Sequence, residues 1–275
     1  MDIFPVVASV ILGIVLGITE FLPISSLGHS LVLSALLHFP PDAATRNIFS
    51  IFIQGGAVLA VLVYYGRDLI KEARQLPSDP KTRRFWLNIL IAFLPIGILG
   101  LLFNNIITKY LFTPIVVGLA LIAGGVVFLF VEQRTYQPTT HKLEDITPRQ
   151  ALMVGLAQIT ALIPGISRSG ATIIGGLLTG LERTVATTFT FYLFIPTLGA
   201  AAGYELFKAF KDHAVDAAYL PYFLLAAAVG FVISLLAIGW LLRFISTHNF
   251  KGFGVYRILI GIVIILLAIF TKTLV

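Results

Sequence analysis

Uninterrupted apolar runs constrain the fold of this chain more than any other feature. Cutting at charged or Pro/Gly breaks gives runs near 3–20, 28–38, 48–65, 86–103, 112–131, 151–163, 170–181, 185–204, 220–243 and 253–272. Several reach the roughly 20 residues that a helix needs to cross a bilayer. Their apolar residues are continuous rather than alternating, which excludes a transmembrane β-barrel. Composition excludes a soluble fold. Apolar residues are 58% of 275, charged residues are 12%, and the mean hydropathy is +0.97; an average soluble domain is about a quarter charged. Too few polar side chains remain to cover a surface in water. The expected fold class is all-α: a polytopic helical membrane protein, with 1–275 as a single membrane domain.

The runs at 28–38, 151–163 and 170–181 are too short to span and are bounded by Pro and Gly. They are expected to be re-entrant or discontinuous helices, which persist at membrane depth only when buried in protein or lining a wet cavity. Charge collects in two loops. One, near 66–84, holds Arg67, Lys71, Arg74, Lys81, Arg83 and Arg84; the other, near 132–150, holds Arg134, Lys142 and Arg149. The hairpin between them carries only Lys109 at its tip, Asn104 to Pro114. Both basic loops therefore belong on one side, and the positive-inside bias makes that side cytoplasmic. Topology accounts for the net charge of +6, so no nucleic-acid partner is expected. The first apolar run follows Asp2 rather than a basic stretch, and is expected to remain as a membrane segment. With no cysteine in the chain, disulfides, thiolate nucleophiles and Cys-bound zinc are excluded. His141, His213 and His248 fall in loops without metal-ligand spacing.

Ile18-Thr19-Glu20-Phe21-Leu22-Pro23 is echoed by Ile159-Thr160-Ala161-Leu162-Ile163-Pro164, with Ile, Thr and Pro in the same places. Each Pro is followed by a Ser-x-x-Gly, Ser25 to Gly28 and Ser167 to Gly170. Chance likeness between apolar stretches competes with a true repeat. The coincidence with both helix breaks favours an inverted repeat with halves near 1–140 and 141–275, the pattern of pseudo-symmetric transporter-like folds.

The second break, Pro164-Gly165-Ile166-Ser167-Arg168-Ser169-Gly170-Ala171-Thr172, places one arginine among three hydroxyls. Glycines let backbone N–H groups approach an anion, a following helix adds its positive end, and a guanidinium fits phosphate oxygens. A charge at membrane depth is usually functional; the alternative is that Arg168 snorkels to an interface. The first break offers Glu20, Ser25, Ser26 and His29, the ingredients of nucleophilic or acid–base catalysis. Taken singly, Glu20 reads equally well as a hydrogen-bonded buried acid, and His29 as a packing residue. Together, facing an arginine cradle, they point to phosphoryl chemistry on an anionic substrate inside the bilayer. Gln54-Gly55-Gly56 suits close helix packing and substrate contact equally. Glu182 and Arg183 are expected at a solvated helix end, and Tyr256 and Arg257 as interfacial anchors.

Glu20 to Ser26 with Gly28-His29, and Pro164 to Thr172, resemble the two signatures of the undecaprenyl-diphosphatase family of the bacitracin-resistance type. The similarity extends over nearly the whole chain, including Ala151 to Pro196, the Gln54 region and Val255-Tyr256-Arg257. The resemblance implies a bacterial inner-membrane enzyme with two pairs of re-entrant helices. Its active site would open to the periplasm and, assisted by a divalent cation (Mg2+ or Ca2+), release phosphate from the polyprenyl lipid undecaprenyl diphosphate. It implies Ser26 as nucleophile, His29 as its acid–base partner and Glu20 as the carboxylate for metal or proton handling. Arg168 would clamp phosphate, with Ser25, Ser167, Ser169, Gly170 and Thr172 around it. Two positions depart from the family pattern: Leu16 stands where Glu or Gln is usual, four residues before Glu20, and Leu27 where Ser or Thr is usual. The first removes one oxygen from the face that Glu20 shares. A lipid-phosphate transporter or flippase on the same architecture is the main competing function, and a catalytically silent lipid-binding protein is a third.

Overall fold

The computed structural model describes residues 3–40, 42–133, 137–212 and 216–270, the side chains at 43, 44, 104–106 and 108 excepted. Asp2, Arg134, His213 and the side chain of Asn104 lie outside the described residues. The helices are α1 (Ile3–Phe21), α2 (Ser26–Leu37), α3 (Ala43–Tyr64), α4 (Gly66–Gln75), α5 (Pro80–Leu111), α6 (Pro114–Gln133), α7 (Pro148–Ile159), α8 (Arg168–Leu178), α9 (Arg183–Lys211), α10 (Leu220–Ile245) and α11 (Lys251–Phe270). Seven of them, α1, α3, α5, α6, α9, α10 and α11, contain stretches long and apolar enough to cross a membrane. Among the described residues there is no strand, only an isolated bridge between Thr140 and Leu181. The chain is an all-α polytopic membrane protein.

Local sequence explains the helix starts. Asp79 accepts the N–H groups of Lys81 and Thr82 at 3.2 and 3.0 Å, with Pro80 as the first residue of α5. Thr147 and Gln150 form a reciprocal capping box ahead of α7, whose first residue is Pro148. Each device satisfies N–H groups that a helix start leaves without partners. The basic stretch near 66–84, expected as a loop, instead forms α4 and the first turn of α5. Arg67, Leu69, Lys71, Glu72, Ala73 and Arg74 are good helix formers, with Asp68 in the first turn and Arg74 in the last, as the helix dipole favours.

Helix pairing follows a corresponding pattern in the two halves. α1 lies along α10 as α7 lies along α5; α2 meets α11 as α8 meets α6; α6 faces α11, and α3 faces α9. Small residues set the closest of these contacts. A Cβ at Gly118 would stand 2.9 Å from the Gly261 carbonyl oxygen, and one at Gly261 would stand 2.6 Å from that of Gly118. Without a hydrophobic drive inside lipid, close backbone approach of this kind supplies the packing between helices. Helices α2, α7 and α8, each of 11 or 12 residues, sit among these pairs and bring both Pro-Ser-Gly breaks to the same place.

Candidate active site

The two breaks are built alike. After α1 ends at Phe21, Ser25 adopts φ 71° and its Oγ accepts the N–H of Gly28 at 3.5 Å, capping α2. After α7 and a 3-10 turn at Thr160–Leu162, Gly165 takes φ +102° and Ser167 takes φ 66°. Ser167 Oγ then accepts the N–H of Gly170 at 3.2 Å, capping α8. A serine at positive φ is uncommon and costs backbone energy, and the two stand at matching places in the breaks. The starts of α2 and α8 carry the positive ends of their helix dipoles.

The breaks touch one another. Ser169 Oγ lies 3.1 Å from Ser167 Oγ and 3.3 Å from the Leu22 carbonyl oxygen, to which it donates. Arg168 Nη2 stands 3.6 Å from Glu20 Oε1, joining the guanidinium of one break to the carboxylate of the other. Between them opens a cavity of about 240 Å³. The first break and α1 line it with Leu16, Thr19, Glu20, Ser25, Ser26, Leu27 and Ser30; the second contributes Pro164, Gly165, Ser167 and Arg168; α3 contributes Ser50, Ile53, Gln54 and Ala57. Phe112, at the α5–α6 turn, also lines it.

Of the residues singled out by sequence, Glu20, Ser25, Ser26, Ser167 and Arg168 meet in this cavity. His29, Ser169, Gly170 and Thr172 are not part of its wall. The His29 ring lies 2.8 Å from the Ser25 carbonyl oxygen through Nδ1 and 2.8 Å from the Tyr256 hydroxyl through Nε2, stacked on the Tyr256 ring. Thr172 Oγ1 donates back to the carbonyls of Arg168 and Ser169, at 3.0 and 3.1 Å, and accepts from Thr190. The Arg168 side chain is three-quarters covered, and its guanidinium faces the Phe194 ring at 6.0 Å.

Sequence reasoning missed part of the wall. Gln54, balanced between packing and substrate contact, takes the cavity side, and Ser50 four residues earlier shares its helix face. Thr19 is 4% exposed and its hydroxyl has no partner. That spacing of polar residues in an otherwise apolar run was the available signal. Arg257 corrects an expectation outright. It is no interfacial anchor but is fully buried. Its Nη1 donates to the Pro23 carbonyl at 3.1 Å, Nη2 to those of Ile166 and Gly165 at 2.9 and 3.3 Å, and Nε to that of Leu121 at 3.4 Å. Irregular backbone leaves carbonyls without helical partners, and at membrane depth no bulk water replaces them. Arg183 is likewise not a freely solvated helix end. Its Nε donates to Glu132 at 3.1 Å, while Glu182 meets His141 at 2.8 Å.

The donors do not make a resident cation site by themselves. Glu20 is the one carboxylate on the cavity wall and already faces a guanidinium, while Leu16 presents no oxygen. Hard cations take six or more oxygens, and among the described residues no three His, Cys, Asp or Glu side chains gather to hold one.

The family described as bacitracin resistance protein BacA matches residues 9–263. The chain belongs to the BacA family. An undecaprenyl-diphosphatase of Deinococcus radiodurans is 48% identical to it over 264 residues, covering 94% of each chain. One of Deinococcus deserti is 46% identical, covering 95% of this chain and 94% of its own. One of Albidiferax ferrireducens is also 46% identical, covering 96% of both. BacA membership thus extends across both breaks, α3 and most of α11, the elements that make up the cavity and its supports.

Proposed function

We propose that this protein hydrolyses undecaprenyl diphosphate to undecaprenyl phosphate and inorganic phosphate. The observation that carries this reading is the meeting of Glu20 and Ser26 with Arg168 in one cavity, in a chain related over nearly its whole length to undecaprenyl-diphosphatases. Arg168 and the starts of α2 and α8 attract the diphosphate. Ser26 Oγ attacks the terminal phosphorus, and its proton passes to the Glu20 carboxylate. The bond from that phosphorus to the bridging oxygen breaks, and undecaprenyl phosphate leaves with the bonding electrons. The departing lipid phosphate takes that proton from Glu20. The regenerated carboxylate accepts a proton from water as the water adds to the phosphoserine phosphorus. The bond from phosphorus to Ser26 Oγ breaks, Oγ recovers the proton from Glu20, and inorganic phosphate leaves. His29 acts through the turn it holds, on the carbonyl of Ser25. Ser169 and Thr172 serve the second break as internal braces rather than as phosphate ligands. No step is assigned to a protein-bound cation.

The membrane is the bacterial inner membrane, with the basic segments at 66–84 and 137–150 on the cytoplasmic side. Phe112 supports a cavity that opens on the periplasmic side, because it belongs to the α5–α6 turn at the opposite end of α5 from Arg83 and Arg84. The two halves, near 1–140 and 141–275, form an inverted repeat on this reading; matching serine conformations and helix pairings support it. Purified protein in detergent should release phosphate from undecaprenyl diphosphate, measured with and without chelator. Absence of release, with lipid movement in liposomes instead, would replace the enzyme with a flippase.

A further inference from the structure

We propose that Arg257 is the positioning residue that sets the two breaks in catalytic register, acting on phosphate hydrolysis without touching the substrate; this rests on the phosphatase reading. Removing a guanidinium from water costs several kcal/mol unless hydrogen bonds and charges compensate. Among the described residues no carboxylate lies within ion-pair distance of Arg257; its partners are carbonyl oxygens, with the Phe128 ring 5.8 Å away. Three of the four carbonyls belong to the breaks: Pro23 in the first, Gly165 and Ile166 in the second. One side chain therefore ties together the backbones that present Ser26 and Arg168.

The direction of the tie matters. In a trans peptide the C=O and N–H point to opposite sides. Drawing the Ile166 carbonyl onto Arg257 turns the N–H of Ser167 away from that guanidinium. The same guanidinium reaches the cavity wall from behind through the carbonyl of Gly165, a lining residue. Gly124 gives it room, because a Cβ there would overlap Nη2 and displace the guanidinium. Gly170 leaves room for Nη1, only 2.9 Å from where its Cβ would stand. Displacing the guanidinium shifts Arg168 and Ser167 relative to Glu20 and Ser26, and a misplacement of about 1 Å in a catalytic constellation costs about 100-fold in rate.

The test is a kcat and KM comparison on undecaprenyl diphosphate for the full chain, Arg257→Lys, Gly124→Ala and the double variant. Lysine keeps the charge but cannot reach carbonyls in both breaks with a fork. Each single variant should lose about 100-fold in kcat with KM little changed. Gly124→Ala should add almost nothing once lysine stands at 257, since the group it displaces is gone. Folded single variants with unchanged kcat, losses confined to KM, or losses that multiply in the double variant would each overturn the proposal. Gly124→Ala keeps the arginine, so it decides the matter if Arg257→Lys is not recovered folded. Loss of folded protein in both singles would assign Arg257 to folding rather than to rate, and would also overturn the proposal. No phosphate release by the unmodified protein would instead remove the phosphatase reading.

Discussion

Arg168 and Ser26 carry the sharpest expectations at the scale of single residues. If Arg168 grips the terminal phosphate through paired N–H groups, Arg168→Lys keeps the charge but loses the fork, and kcat should fall about 100-fold, as when one preorganised donor is removed. Near-normal phosphate release by that variant would remove the clamp. Ser26→Ala should abolish release, whereas Ser25→Ala should cost chiefly the α2 cap, about 1 kcal/mol in thermal stability. Ser25 also sits at φ 71°, so Ser25→Gly should be tolerated better than Ser25→Ala, because glycine adopts that backbone without strain. Equal mild losses of release at Ser25 and Ser26 would make water the attacking species. The types of these residues were legible in sequence, since a charge and several hydroxyls inside apolar runs have few other uses. Their orientations were not. Whether His29 faces Ser26 or Tyr256 depends on a partner 227 positions away, and Arg257 was misread because nothing near it in sequence shows the four carbonyls waiting for it.

At the scale of the helix, α1 presents Leu16, Thr19 and Glu20 to the cavity, at i, i+3 and i+4 on one face. A carboxylate at 16 would stand one turn from Glu20 and supply the second anionic oxygen donor that a hard cation needs. Leu16→Glu should therefore strengthen the response of turnover to added Mg2+ relative to the unmodified protein. An unchanged or weaker cation response would show that Leu16 only packs, and that the new charge is a burden in a buried place. In α4, burial pushes the Glu72 carboxyl up, against hydrogen bonds from Tyr192 and Trp86 and the charge of Lys71 that pull it down; Asp68 adds to the rise. An acid with a raised folded pKa contributes stability that is full below its unfolded pKa and lost as pH rises through its folded one. Thermal unfolding should show Glu72→Gln gaining stability relative to wild type from acid to neutral pH; a constant difference across that range would contradict this. Spans were legible as continuous apolar runs. The helix α4 was not, because its charges read as a loop, and its half-buried Glu72 depends on Tyr192 of α9.

On the scale of the whole molecule, the long apolar segments follow from the bilayer itself, and could be read without coordinates. How the halves close on one another could not, since it depends on glycine contacts such as that of Gly118 with Gly261, on helices far apart in sequence. Orientation ties the fold to the proposed chemistry. A lipid diphosphate can be processed only on the side where its headgroup meets the cavity, and the cavity wall includes Phe112 of the α5–α6 turn. Ser78, exposed between α4 and α5, belongs on the opposite side with the basic residues around it. Because the chain has no cysteine of its own, single cysteines at Ser78 and at the exposed Thr113 report each side without background. A membrane-impermeant thiol reagent added to intact cells should label Thr113→Cys, and should reach Ser78→Cys only after the membrane is opened. The two sites are separated by the length of α5, and moving the six basic residues of 66–84 outward would run against the charge bias that sets topology. Labelling of Ser78→Cys in intact cells would reverse the molecule in the membrane and place the cavity mouth in the cytoplasm.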